Sequence, residues 1–177
     1  MRKLKLQELA RHTPASFAEA EKVSVVVVLD DIRSAHNVGS VFRSADAMGI
    51  EQVVLCGISP QPPSRDINKT AIGATETMPW VYEEDVVNAL QSLRSDGYAV
   101  VAVEQTDASV DLLEYNWPID KIAIVMGNEV DGVSLRALEH CDAAIEISQF
   151  GTKHSLNVSV CAGIVLHHVA STIRRGK

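Results

Sequence analysis

The stretch VSVVVVLDDIRSAHNVGSVFRSADAMG, residues 23–49, decides the fold of this 177-residue chain. Its opening, Val23–Leu29, is an apolar, β-branched run, the pattern of a strand buried on both faces of a sheet. Its second half changes period. Val38, Val41, Phe42, Ala45 and Met48 fall on one helical stripe, and Gly49 supplies the stop. A buried strand followed by an amphipathic helix is one unit of a parallel α/β sheet.

Outward from this stretch the unit recurs. Gln52–Ile58, Tyr98–Glu104, Lys121–Met126 and Ala143–Ile147 read as further buried strands. Glu83–Ser95, Ser134–His140 and Leu156–Ile173 read as helices, and the acids Glu83, Glu84 and Asp85 suit the positive end of the first one's dipole. The expected fold is α/β, a mostly parallel sheet with helices on both faces. Residues 1–22 read as a short helical arm broken at Pro14, and 23–177 as a single domain. Segment 59–82, with Pro60, Pro62, Pro63 and Pro79, reads as the longest loop.

Composition narrows the function. With 46% hydrophobic residues the chain is no disordered segment. Apolar runs such as Val25–Leu29 are too short to cross a bilayer, so no membrane partner is expected. The N-terminal MRKLKLQELARHT lacks the apolar core of a signal peptide, which points to the cytoplasm. Cys56, Cys141 and Cys161 lie far apart, and His154, His167 and His168 have no ligand spacing, so neither disulfides nor a metal site are expected. A net charge of −7 argues at first against nucleic acid. Its distribution removes the objection: residues 1–75 carry a net +1, residues 76–131 a net −10, and residues 132–177 a net +2. The basic ends include Arg2, Lys3, Lys5 and Arg11 on one side and Arg174, Arg175 and Lys177 on the other.

The glycines exclude the familiar nucleotide loops. No pair is spaced G-x-G, so the dinucleotide fingerprint is absent. Gly127 and Gly132 are spaced like a P-loop, but Val133-Ser134 stands where Lys and Ser/Thr are needed. Polar residues nevertheless gather beyond the carboxyl ends of three strands, where open α/β sheets bind ligands. These are Asn37, Gly39 and Arg43; Gly127, Asn128, Glu129 and Gly132; and Ser155 with Asn157. Singly, each has a plain structural reading. Asn37 caps a helix, Arg43 pairs with Asp46 or Asp30, Asn128-Glu129 makes a turn with Gly132 in a backbone shape other residues dislike, and Ser155 caps the last helix. Asn157 fits such a reading least, as a modest helix former at an apolar helix start. Three clusters at equivalent strand ends point to a site.

Together the clusters resemble the SpoU, or TrmH, family of RNA ribose methyltransferases. The likeness runs over roughly residues 23–170 through Asn37-Val38-Gly39-Ser40-Val41-Phe42-Arg43, Met126-Gly127-Asn128-Glu129-Val130-Asp131-Gly132-Val133 and Ser155-Leu156-Asn157-Val158-Ser159-Val160. Lys69-Thr70-Ala71-Ile72-Gly73-Ala74 and Val103-Glu104-Gln105-Thr106 are also similar to family segments. The resemblance implies a C-terminal deep trefoil knot, a homodimer with the active site at its interface, and S-adenosylmethionine held largely by backbone near Glu104, Gly127, Ile147 and Leu156. One departure stands out: the family often has Ile-Pro-Met where this chain has Ile147-Ser148-Gln149-Phe150.

The implied reaction is methyl transfer to a ribose 2′-hydroxyl in tRNA or rRNA, with Arg43, Asn37, Glu129, Ser155 and Asn157 as the catalytic set. Guanidinium is effectively always protonated, so Arg43 suits clamping a phosphate and lowering the hydroxyl's pKa rather than acting as a base. Asn37 and Glu129 would orient Arg43 and the ribose, and Ser155 and Asn157 would form the floor. Arg43, Lys69 and Lys153 are the expected RNA contacts. The lack of a separate RNA-binding domain favours a tRNA target. Two other readings stay open: a non-catalytic RNA-binding dimer of the same fold, and a base-methylating knotted enzyme.

Overall fold

The computed structural model describes residues 1–118 and 120–176; Lys177, counted above in the basic C-terminal end, lies outside them. In chain order the elements are a 3-10 turn Leu6–Leu9, α1 Pro14–Glu19, β1 Val23–Asp30, α2 Ala35–Met48, β2 Ile50–Cys56, α3 Arg65–Ala71, α4 Ala74–Thr77, β3 Trp80–Glu83, α5 Val86–Ser95, β4 Ala99–Val103, β5 Val110–Asp111, β6 Ile122–Met126, α6 Leu135–Leu138, β7 Ala143–Glu146 and α7 Val158–Gly176. The strands form one sheet in the order β3-β2-β1-β6-β4-β7-β5, and every neighbouring pair is parallel.

β1 explains the two-sided burial. Val25 to Leu29 are at most 1% exposed, and their side chains alternate between two cores. Val25, Val27 and Leu29 join Phe42 of α2 and Val165, Leu166 and Val169 of α7 on one face. Val26 and Val28 join Leu90 and Leu93 of α5 and Ala137 of α6 on the other. Each buried side chain of this size stabilises the fold by roughly 1.5–3 kcal/mol before chain entropy is subtracted. On the first face α2 lies close against α3. A Cβ at Gly39 would stand 2.2 Å from the Ile67 carbonyl oxygen, so the helices approach at a distance only glycine permits.

Several expectations are corrected. Segment 59–82 is not a loop: it holds α3, α4 and the edge strand β3, with Ser64 capping α3 through its hydroxyl. The four prolines lie outside those elements. The arm is interrupted over residues 10–13, and Pro14 opens α1 after the break, where its missing N–H costs no helical bond. The cap of α2 is Ser34, whose hydroxyl accepts from the Asn37 N–H, so Asn37 lies inside the first turn with its side chain free for another use.

Candidate active site

The carboxyl ends of β4, β6 and β7 open into a cavity of about 510 Å³. Glu104, Gly127, Glu129, Ile147, Ser155, Leu156 and Asn157, all singled out from the sequence, line it. Gln105, Asp131, Glu146, Gln149 and Cys161 also line it. Four acidic residues (Glu104, Glu129, Asp131 and Glu146) and no Lys, Arg or His line this space, so its charge suits a ligand that carries positive charge.

The loop over residues 127–134 forms one wall and is held by three carboxylates. Asp30, 2% exposed at the end of β1, accepts from the Ser134 N–H at 2.9 Å, and burial pushes its pKa up. Glu104 accepts from the Val133 N–H at 2.8 Å. Glu129, at the loop's other end, reaches across to α2. Its Oε2 accepts from the Arg33 N–H at 2.9 Å, and its Oε1 from the Ser34 N–H at 3.1 Å and the Asn37 amide at 2.7 Å. Burial opposes the charge on Glu129, but these donors prevail and hold its carboxyl below the usual carboxylate range. Within the loop, Asn128 and Gly132 exchange backbone bonds of 3.0 and 3.1 Å, and Gly132 takes φ +69°, the shape expected of it. A Cβ on Gly127 would lie 2.0 Å from the Val133 nitrogen, so the two limbs of the loop touch backbone to backbone.

Asn37 links two of the three sequence clusters to the third. It is 9% exposed, donates to Glu129 and accepts from Asn157 Nδ2 at 3.2 Å. The Asn157 oxygen accepts from the Ser159 and Val160 N–H groups at 2.9 and 3.3 Å, so Asn157, not Ser155, caps α7. Ser155 is exposed on the cavity wall. The resulting chain Glu129–Asn37–Asn157 fixes three polar side chains at the β1 side of the cavity.

Other expected residues lie elsewhere. Arg43 is exposed on α2, does not line the cavity, and makes no hydrogen bond or ion pair among the described residues. Asp46 instead accepts from the Thr77 hydroxyl, and Asp30 serves Ser134, so neither is its partner. Asn37 and Glu129 therefore hold each other rather than Arg43. Lys69 is paired with Asp66 at 2.6 Å on α3. Lys153 lines a smaller cavity of about 250 Å³ that shares Gln105, Glu146, Ile147 and Gln149 with the main one. The backbone N–H groups of Arg33 and Ser34 and the Gln105 side chain were not singled out; the first two lie within the opening stretch and the third beside Glu104. Cys161, one turn into α7, also faces the cavity, and burial pushes its thiol up to about 11.

Residues 24–167 match the model of the SpoU rRNA Methylase family. The 23S rRNA (guanosine-2′-O-)-methyltransferase RlmB of Neisseria meningitidis serogroup B is 40% identical over 146 residues, covering 80% of this chain and 56% of that protein. The chain thus spans under two thirds of the length of that relative. Among solved structures, the A. aeolicus TrmH/SpoU tRNA modifying enzyme superposes with a TM-score of 0.80 at 25% identity, covering 92% of this chain and 83% of that one. The AdoMet-bound rRNA methyltransferase of Sinorhizobium meliloti also superposes with a TM-score of 0.80 at 25% identity, over 92% of this chain and 62% of that one.

Proposed function

Because this chain belongs to the SpoU rRNA methylase family, we propose that it transfers a methyl group from S-adenosylmethionine to a ribose 2′-hydroxyl of RNA. The observation that carries the reading is the main cavity, ringed by carboxylates and bordered by the Glu129–Asn37–Asn157 chain. Its volume is that of a small-molecule pocket, and its charge suits a sulfonium. Glu104, Gly127, Ile147 and Leu156 would hold the donor, which supplies an already electrophilic methyl.

The chain's own part is to orient the hydroxyl and ease the loss of its proton. Asn37, Asn157, Ser155 and Glu129 border the place where the ribose would lie. Arg43 clamps the neighbouring phosphate and stabilises the developing oxyanion, and Lys69 and Lys153 add RNA contacts. Since Arg43 does not line the cavity of its own chain, a homodimer belongs to the proposal. The exposed Val160 and Ile164 on α7, 52% and 40% accessible, support a second copy packing there. The same proposal includes the C-terminal knot, a cytoplasmic setting, an arm over residues 1–22 and one catalytic domain over 23–177. Against the sequence expectation of tRNA, the 23S rRNA activity of the 40% identical relative favours rRNA as substrate.

Incubating the chain with methyl-labelled donor and total RNA, then digesting to nucleosides, tests the proposal. A labelled 2′-O-methylnucleoside is expected, mostly from the rRNA fraction. Label on a base, or no label in any fraction, would overturn it.

A further inference from the structure

Residues 147–157 form no helix or strand and make the wall of the cavity on the β7 side. Asn157 at its end is held by Asn37, and the stretch 148–154 is tied down at two further points. At its start the Ser148 hydroxyl donates to Asp111 Oδ2, and the Ser148 N–H donates to the same oxygen at 3.3 Å. Asp111 ends the short β5, where pairing with β7 sets it opposite Glu146, and its other oxygen accepts from the Leu113 N–H at 2.8 Å. The Ser148 hydroxyl is first among the groups that hold the Asp111 carboxyl below its usual range. Near the far end, Gln105 Nε2 donates to the His154 carbonyl at 3.0 Å. Among the described residues, no other hydrogen bond reaches residues 148–154 from outside the segment. Between the two ties, Gln149 lines both cavities while Phe150 stands 98% exposed.

We infer that Asp111 and Gln105 are positioning residues for the methyl donor, fixing the 148–154 stretch at Ser148 and His154 so that the cavity wall exists before the donor arrives. The inference rests on the donor occupying the main cavity, as proposed above. A segment with no regular hydrogen bonding has many conformations, and a ligand that had to order it would lose that entropy from its affinity. Both ties come from residues 104–111, the connection out of β4, so this short stretch sets the wall while Glu104 sets the facing loop. The two sides of the cavity are thereby held from one strand end.

The test uses the full chain and S-adenosylmethionine, with binding followed by calorimetry and turnover by methyl transfer to RNA. Ser148→Ala is the cleanest variant, because the hydroxyl donates only to Asp111. Ser148→Ala and Gln105→Ala should each raise the donor Kd and KM about fivefold, the effect of one partly exposed hydrogen bond. The kcat at saturating donor should be unchanged, and Ser148→Thr, which keeps the hydroxyl, should restore wild-type affinity. Amide hydrogen exchange across residues 148–154 should speed up in the Ala variants and not in Ser148→Thr. Unchanged donor affinity in both Ala variants, or a fall in kcat with KM intact, overturns the inference while leaving the proposed function standing. A wild-type chain that binds no donor overturns both.

Discussion

Glu129→Gln removes one charge and little volume from the point where the loop of residues 127–134 meets α2. The carboxylate has two oxygens, and three donors use them: the Arg33 N–H, the Ser34 N–H and the Asn37 amide. Glutamine keeps a single acceptor oxygen. Whichever way it turns, its NH2 group faces the Arg33 N–H or faces Ser34 and Asn37, so one or two bonds become donor–donor contacts. A hydrogen bond to a charged acceptor contributes about 1.5–3 kcal/mol when shielded. Glu129 is exposed, and solvent screening reduces this to about 0.5–1 kcal/mol per bond. The variant should therefore lose about 0.5–2 kcal/mol at pH 7, read as a lower urea midpoint with unchanged slope. The pH dependence has a definite sign. The folded-state pKa of Glu129 lies below its unfolded value, so its contribution is complete above the unfolded value and disappears as pH falls through the folded one. The gap between wild type and Glu129→Gln should be full at neutral pH and close in acid. No gap at pH 7, or a gap that widens on acidification, would refute the account of this carboxylate as the tie between loop and helix.

Arg43→Ala should leave stability within about 0.5 kcal/mol, since the side chain is exposed and unpaired, and should leave donor affinity intact while abolishing methyl transfer; variants that turn over normally would remove Arg43 from the mechanism. Gly39→Ala forces a methyl group to 2.2 Å from the Ile67 carbonyl, and overpacking of this kind should lower stability by about 1–3 kcal/mol in a thermal melt. Cys161, with its thiol pushed up to about 11, should react slowly with iodoacetamide at pH 7.5 and more slowly still with donor present, which peptide mass mapping would show. RNA affinity should fall steeply between low and physiological salt, and a flat dependence would contradict phosphate contacts by Arg43, Lys69 and Lys153.

The central strands were legible because burial on both faces writes a continuous apolar run, as in Val25–Leu29 and Ile122–Met126. The edge strands were not. β3 is four residues long with Val81 and Tyr82 exposed, and β5 is two residues long, so neither carries a run. In segment 59–82 the prolines masked α3, although Ser64 before Arg65 is an N-cap signal. Glu104, Gly127, Ile147 and Leu156, expected from the family resemblance to hold the donor, line one cavity. The partnerships between residues were not. Asn37 meets Glu129 across 92 positions of sequence and Asn157 across 120, and no local pattern reports such a meeting. Ser148 stands where the family often has a proline, a residue that restrains the backbone by its ring. Its bonds to Asp111 show a different restraint at the same point.

The strand order has a consequence for how the chain comes together during synthesis. β6 sits between β1 and β4, although both precede it in the chain. The trio β3-β2-β1 can pair as soon as it is made, but the inner edge of β1 waits for Ile122–Met126, and β4 has no sheet neighbour until β6 and β7 arrive. A partly made chain thus carries three open edges of very apolar strand, one on β1 and two on β4, the kind of surface that draws chaperones and misplaced neighbours. The pocket, built on the ends of β4, β6 and β7 and closed by the start of α7, is the last region to come into being. A nascent chain could not hold a ligand until β7 and α7 are made, and α7 also covers one face of β1, so donor present in the cell would act only on the final step of its folding.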